Sequence, residues 1–385
     1  MKKTLPGLLF FLVFTAVTSQ AQVTTTAVPF LQIAPDSRSS GFGEGGVAMA
    51  GKDPNTIFWN PAALYRIQEI KASITHSNWL PQLTGDLFYD YLALVYPLGP
   101  DLGSLGGHIT FLNLGENVQT SASGKELGRF VSWEMAVGVS YGVPLDEDWS
   151  IGTGGRFIYS RLSPVAVENE KGRGVASGFG VDLAFEYHPS KFILGLPYPS
   201  IFEGSTDSWF SFYELADLSN RFRWGTNISN IGPKMTYIDD AQADPLPTKF
   251  RTGIAYRLID DEYYYLDSYV EMAKLLVSNQ DSLTKYPVYK AVYKAWYKDG
   301  FVNELNKANL MMGAEFVYDN YVSLRAGFFY EDKDAGNRKF MTYGAGILYS
   351  FLNVDFSYIS AFEEAHPLAG TVRVTLGLNV TSVLE

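Results

Sequence analysis

The sequence contains no cysteine. That absence removes disulfides, thiolate nucleophiles and cysteine metal sites together. Histidine is scarce: His76, His108, His188 and His366 fall on separate segments, with no i, i+4 pair and no carboxylate at metal-ligand spacing. They read as ordinary surface or membrane-interface histidines. No G-x-S-x-G elbow occurs, and no Ser, His and acid set can be joined from the sequence. The expectation is a protein that is not an enzyme and uses no metal or cofactor. Also missing is any apolar run near the roughly 20 residues of a membrane-spanning helix. The formal charge of −11 carries no concentrated basic footprint, so nucleic acid is not an expected partner.

One motif looks like an exception. Residues 41–46, "GFGEGG", fit the G-x-G-x-x-G pattern of a dinucleotide-binding turn. A phosphate cradle needs a strand before the first glycine and a helix after the last, because the helix N-terminus supplies the N–H groups that hold pyrophosphate. The flanks here are "FLQIAPDSRSS" and "VAMAGKDPNT", broken by Pro35, Gly51 and Pro54. The glycines serve some other purpose.

The chain begins "MKKTLPGLLFFLVFTAVTSQAQ", two lysines, a short apolar core and a small-x-small site. Residues 1–21 read as a secretory signal peptide cleaved after Ala21. Its removal takes Lys2 and Lys3 and lowers the formal charge from −11 to −13. An exported chain without spanning helices enters a membrane only through strands.

Strands are what the rest supplies. Glycine (36), tyrosine (25) and phenylalanine (26) are abundant, and from about residue 69 ten-residue segments alternate apolar with polar. Val372, Val374, Leu376, Leu378 and Val380 oppose Thr371, Arg373, Thr375, Gly377 and Asn379. Fourteen such segments are predicted: 69–77, 87–97, 104–113, 132–143, 148–160, 175–188, 221–229, 247–258, 263–272, 308–318, 320–330, 338–350, 352–361 and 370–380. Their polar faces carry Arg156, Arg221, Arg223, Arg251, Arg257, Arg325 and Arg373 among Glu134, Asp182, Glu186, Glu315 and Asp355. The opposite faces are apolar, with Trp133, Trp149, Tyr159, Tyr187 and Tyr358 near segment ends. A polar inside and an apolar, aromatic-girdled outside define a transmembrane β-barrel, all-β, fourteen-stranded and antiparallel, over 69–385. Connections alternate short and long, as periplasmic turns and external loops do. Residues 189–220 break that alternation, either as a further strand pair or as a periplasmic or lumenal insertion.

Residues 22–68 lack alternation and are expected to fold into the barrel as a plug, with Gly41, Gly43 and Gly46 letting backbone pass close to lumenal side chains. Lumenal arginines are expected to pair with acids opposite, in a network drawn from Arg156, Arg251, Arg257, Glu134 and Asp182, and to hold the plug. An anionic ligand on Arg251 and Arg257 is the alternative. Residues 285–307 read as one helix, with Lys290, Lys294 and Lys298 recurring at i+4 beside Tyr289, Tyr293, Tyr297 and Trp296. Placed outside the cell, it offers a surface for lipopolysaccharide phosphates or a protein partner, a roof for the barrel, or simply a solvated loop helix.

"SRSSGFGEGGVAMAGKDPNTIFWNPAAL", with Asn60, Pro61 and Ala62 as its NPA element, resembles the N-terminal hatch of FadL-like barrels and of the PorV/PorQ family. "GTNISNIGPKMTY", "LPTKFRTGIAY", "EMAKLLV" and residues 313–349 resemble the PorV group in particular. The resemblance implies a FadL-like outer-membrane barrel of the type IX secretion system. It further implies that such a barrel receives cargo bearing a C-terminal signal domain from a large translocon barrel and passes it to a surface-attachment complex. The NPA hatch, shared with the FadL barrels, equally implies transport of hydrophobic small molecules.

Overall fold

The computed structural model describes residues 26–121, 123–164, 174–199, 210–238, 243–276, 288–333, 335–363 and 366–384. The signal peptide expected over 1–21 lies outside the described residues. No described helix is long and apolar enough to cross a membrane.

The strands are β1 (Lys71–Asn78), β2 (Phe88–Gly99), β3 (Gly103–Thr120), β4 (Glu126–Pro144), β5 (Trp149–Ser163), β6 (Gly174–Tyr187), β7 (Ile193–Pro199), β8 (Phe210–Asp217), β9 (Phe222–Ile231) and β10 (Lys249–Asp260). They continue as β11 (Tyr264–Leu275), β12 (Asn309–Tyr318), β13 (Val322–Tyr330), β14 (Lys339–Tyr349), β15 (Leu352–Ala361) and β16 (Val372–Asn379). Fourteen of them form a closed antiparallel barrel in which β6 pairs directly with β9. The ring closes between β1 and β16, from Lys71 opposite Asn379 to Ser77 opposite Arg373. Closure removes the unpaired edge that hydrocarbon does not tolerate.

Most barrel strands turn a polar phase inward, whereas β2 lines the lumen with Tyr89, Tyr91, Ala93 and Val95. Arg373 and Thr375 on β16 are buried, whereas Val374, Leu376 and Leu378 are exposed. Two aromatic rows bound the outer face. Phe111, Trp133 and Tyr159 run along the long-loop end, and Tyr187, Trp149 and Trp224 along the short-turn end. On β5 the two rows stand ten residues apart, from Trp149 to Tyr159. At ~3.3 Å per residue and a tilt of ~40° that is roughly 25 Å, the height of a lipid-facing band.

One open expectation is decided and two need correction. The span 189–220 contains a strand pair, but β7 and β8 pair only with each other and stay out of the wall. They follow a turn tied to the β4–β5 turn, where the His188 and Ser190 amides donate to Asp148. The supposed long loop at 114–131 is mostly ladder, with β3 and β4 pairing out to Thr120 and Glu126. Both faces of that extension are largely exposed, so no buried face imposed a hydrophobic period. The helix over 285–307 is two helices, α3 (Val288–Lys294) and α4 (Phe301–Asn306), separated at Gly300, whose φ of 90° no continuous helix accepts. Residues 285–287 lie outside the described residues.

The N-terminal residues fill the lumen. A 3₁₀ turn (Pro29–Gln32), a short helix α1 (Ser37–Gly41), another, α2 (Thr56–Trp59), and a second 3₁₀ turn (Pro61–Arg66) follow one another. The described chain starts at the long-loop end, where the Ala27 amide donates to the Pro245 carbonyl. It ends at the short-turn end, where the Ile70 amide donates to Thr381.

Candidate functional site

The lumenal segment lies directly on glycines of the wall. A Cβ on Gly225 would lie 2.6 Å from the Val47 carbonyl carbon, one on Gly152 would lie 2.7 Å from Ala62 Cα, and one on Gly344 would lie 2.9 Å from Gly41 Cα. Gly313 and Gly327, a cross-strand pair on β12 and β13, leave room for the Phe42 peptide. The three motif glycines meet the same constraint from the other side. Gly41 abuts β14, Gly43 has a φ of 111° beside the Met312 carbonyl, and a Cβ on Gly46 would stand 2.6 Å from the Trp59 ring.

Asn60 works as a buckle. Its Nδ2 donates to the Val47 carbonyl at 2.9 Å and to the Phe185 carbonyl of the wall at 3.2 Å, while Oδ1 accepts the Ala62 amide at 3.1 Å. Pro61, with no amide to satisfy, begins the 3₁₀ turn that Asn60 caps. Ala62 is completely buried, so a larger side chain has no space.

Charges fix the segment on its remaining sides. Glu271 accepts the Gly46 and Val47 amides at 2.7 and 2.9 Å and Arg251 at 2.9 Å. Arg38 grips Glu315 with two bonds of 2.8 Å. Asp267 and Glu315 stand directly opposite on β11 and β12, an arrangement that repels. Lys52 of the lumenal segment bridges both, at 3.1 and 3.0 Å. Arg223 and Arg257 also reach Asp267, and Arg325 reaches Glu315 and Asp355. Arg156 pairs with Asp182, which also accepts the Asn230 amide.

The residues singled out from the sequence are therefore not one network. Arg156 and Asp182 form a pair, but Arg251 and Arg257 turn to Glu271 and Asp267, because those acids sit on β11 next to β10. Glu134 pairs with no arginine among the described residues and accepts a hydrogen bond from Ser160 at 2.8 Å. Arg221 lies in the turn before β9 rather than on a lumenal face. His108 is lumenal instead of superficial, stacked 5.7 Å from Tyr91. Arg38, Lys52, Glu271, Asp267 and the wall glycines were missed. For Glu271, Asp267 and the wall glycines the only sequence signal was position on the inward phase, and Arg38 and Lys52, in the segment without alternation, carried none.

In the lumenal segment, Asp36 accepts the Ser39 amide and the Trp59 indole. Burial, together with the charge of Asp53, pushes its carboxyl up to about 6.

Cavities open on both sides of this segment, and they share no lining residue. The cavity at the short-turn end measures about 280 Å³ and touches Arg38, Lys52 and Glu315. The one at the long-loop mouth measures about 600 Å³, with Phe30, Trp79, Leu112, Met311 and Phe329 forming much of its wall. Lys249 also lines the mouth, 7% exposed and without an ion pair among the described residues.

Helices α3 and α4 do not roof this mouth. They pack on the outer face of β9–β11, with Trp296 5.4 Å from Phe250 and Lys274 held by Glu304 at 2.8 Å.

A closed β-barrel with a charge-tied plug inside and an apolar, aromatic-banded outer face is built as a membrane-spanning barrel. The profile of the PorV family, described as type IX secretion system protein PorV, matches residues 16–196 and 203–282. The chain belongs to the PorV family. No curated protein matches it. Among solved structures it is similar to the TodX deltaS2S3 mutant, a monoaromatic hydrocarbon channel, at 12% identity and a TM-score of 0.50, covering 89% of this chain and 98% of that one. The unaltered TodX comes from Pseudomonas putida. The Ralstonia pickettii toluene transporter TbuX aligns at 12% identity and a TM-score of 0.48, covering 90% and 98%. A Pseudomonas aeruginosa FadL homologue aligns at 11% identity and 0.42, covering 90% and 98%. At such identities the TodX likeness speaks for the fold alone.

Proposed function

We propose that this barrel is a binding and shuttle component of type IX secretion with no chemistry of its own. It takes cargo bearing a C-terminal signal from the translocon barrel and hands it to the attachment complex. The long loops face outward, and residues 22–68 act as a permanent hatch with Asn60, Pro61 and Ala62 as its buckle. The observation that carries this reading is the hatch itself. Bonded to β6, β11, β12 and β16 by Asn60, Glu271, Arg38 and Arg373, it separates the two cavities and leaves the mouth as the working surface. Membership of the PorV family supplies the secretion context.

The apolar lining of the mouth cavity favours a second reading, a FadL-like transporter of hydrophobic small molecules. Purification from native outer membranes in mild detergent, followed by mass spectrometry of whatever accompanies the barrel, separates the two. Cargo domains or a giant translocon barrel support the shuttle. Apolar small molecules alone support the transporter.

A further inference from the structure

The region 288–306 has two unlike flanks. Ala291 and Ala295 are buried toward the barrel, packed with Ile228 and Phe250 of the outward phases of β9 and β10. On one flank of α3 and the turn after it, Tyr289, Tyr293 and Tyr297 are 73%, 68% and 56% exposed. Tyr293, Tyr297 and Phe301 form a ladder with ring centroids 5.5 and 6.0 Å apart, and Val302 and Leu305 of α4 extend the exposed apolar surface. Lys290, Lys294 and Lys298 follow each tyrosine by one residue and so occupy the other flank.

Height gives this asymmetry a meaning. From Leu258, exposed near the short-turn end of β10, to Phe250 beneath Trp296 the strand runs eight residues. At ~3.3 Å per residue and a tilt of ~40° that is roughly 20 Å, against an apolar band ~25 Å tall. The helices therefore lie on the barrel where hydrocarbon gives way to headgroups, continuous with the lipid-facing surface. A tyrosine flank beside a lysine flank suits that boundary, since aromatic rings favour the interface and lysines reach past it to anionic groups.

We propose that α3 and α4 form an interfacial collar bound to the outer leaflet, with the tyrosine and Phe301 flank against acyl chains and Lys290 and Lys298 on lipid phosphates. The partner is a lipid surface carrying phosphate, as lipid A does. This stands whether the mouth serves cargo or small molecules.

The missing cysteine makes the test clean. Single-cysteine variants Y293C, Y297C, K290C and K298C of the full chain, each carrying a nitroxide label, are reconstituted into vesicles containing lipid A. Labels at 293 and 297 are expected to relax more with oxygen, which partitions into lipid, than with an aqueous nickel chelate, and labels at 290 and 298 to show the reverse. Replacing lipid A with a zwitterionic lipid should move the 293 and 297 labels several-fold toward aqueous accessibility. Equal aqueous accessibility on both flanks would overturn the proposal. So would aqueous exposure at 293 and 297 that disappears only when the translocon is added, because the occupant would then be a protein.

Discussion

The Phe42 peptide sits on Gly313 and Gly327 with nothing between the two backbones, so the smallest possible enlargement tests whether the hatch is clamped by close approach. In Gly313→Ala the new methyl overlaps the Phe42 carbonyl oxygen and stands 2.8 Å from the carbonyl carbon, where ordinary contact begins near 3.4 Å. The neighbour on the far side is the Ala326 carbonyl at 2.9 Å, part of the wall, so the wall cannot yield without breaking its ladder. The hatch must lift instead. Lifting breaks the bond from the Tyr269 hydroxyl to the Phe42 carbonyl, 2.8 Å long. Overpacking of this kind costs ~1–3 kcal/mol and a lost hydrogen bond ~1 kcal/mol. The sum, ~2–4 kcal/mol, shifts hatch docking about 30- to 700-fold. Hydrogen exchange of the amides of residues 41–47 should accelerate by that factor, and the single-barrel conductance in planar bilayers should show openings that the parent lacks. Gly155→Ala, which meets nothing within 4 Å, is the control and should behave like the parent. If G313A keeps parental exchange and conductance, close packing does not hold the hatch and the reasoning fails.

Removing both cations that the lumenal segment lends, with Arg38→Met and Lys52→Met, leaves the facing Asp267 and Glu315 to the wall arginines alone. The double variant should lose more than ~3 kcal/mol in denaturant titration, and adding Glu315→Gln should restore part of it. If the third change deepens the loss, the charge argument is wrong. For Asp36 the folded carboxyl, at about 6, titrates above its usual 3.8. The unfolded chain therefore ionises first, stability falls as pH rises from about 4 to about 6, and it is level above that window. Exchange protection of the Ser39 amide, corrected for intrinsic rate, should drop across this range, and Asp36→Asn should flatten the profile. Lys249 is a buried amine with no ion pair among the described residues, so Lys249→Met should raise the melting temperature while reducing retention of whatever occupant presents an anion to the mouth. A lower melting temperature would mean that the amine already has a partner.

The wall was legible because lipid outside and polar groups inside impose period-two alternation on every strand that touches both. Where that contrast ends, so does the signal. The β3–β4 ladder beyond Asn113 is largely exposed on both faces and read as loop. The β7–β8 pair showed only as an interruption of the loop rhythm. The lumenal pairing was illegible for a different reason. Alternation says that Arg251 faces inward but not which inward acid register brings near it, and its directly opposite residue is Ala273, with Glu271 diagonal. Asn60 was marked by its setting in NPA, yet its bond to the Phe185 carbonyl crosses 125 positions that no local pattern connects.

That long-range arrangement bears on how the barrel works. Asp267 and Glu315 face each other across a ladder, and the residue that bridges them, Lys52, belongs to the hatch rather than to the wall. Glu271 likewise spends one oxygen on two hatch amides. The wall is thus built to complement the hatch, and expelling residues 36–60 would expose buried acids whose cations and donors leave with the segment. Breaking one buried pair alone costs ~3–5 kcal/mol. Several such pairs broken together exceed what a weakly held cargo or a small apolar ligand returns on binding. Opening a straight path through the lumen is therefore the expensive route for this chain, in keeping with the proposed exchange at the mouth with the hatch in place.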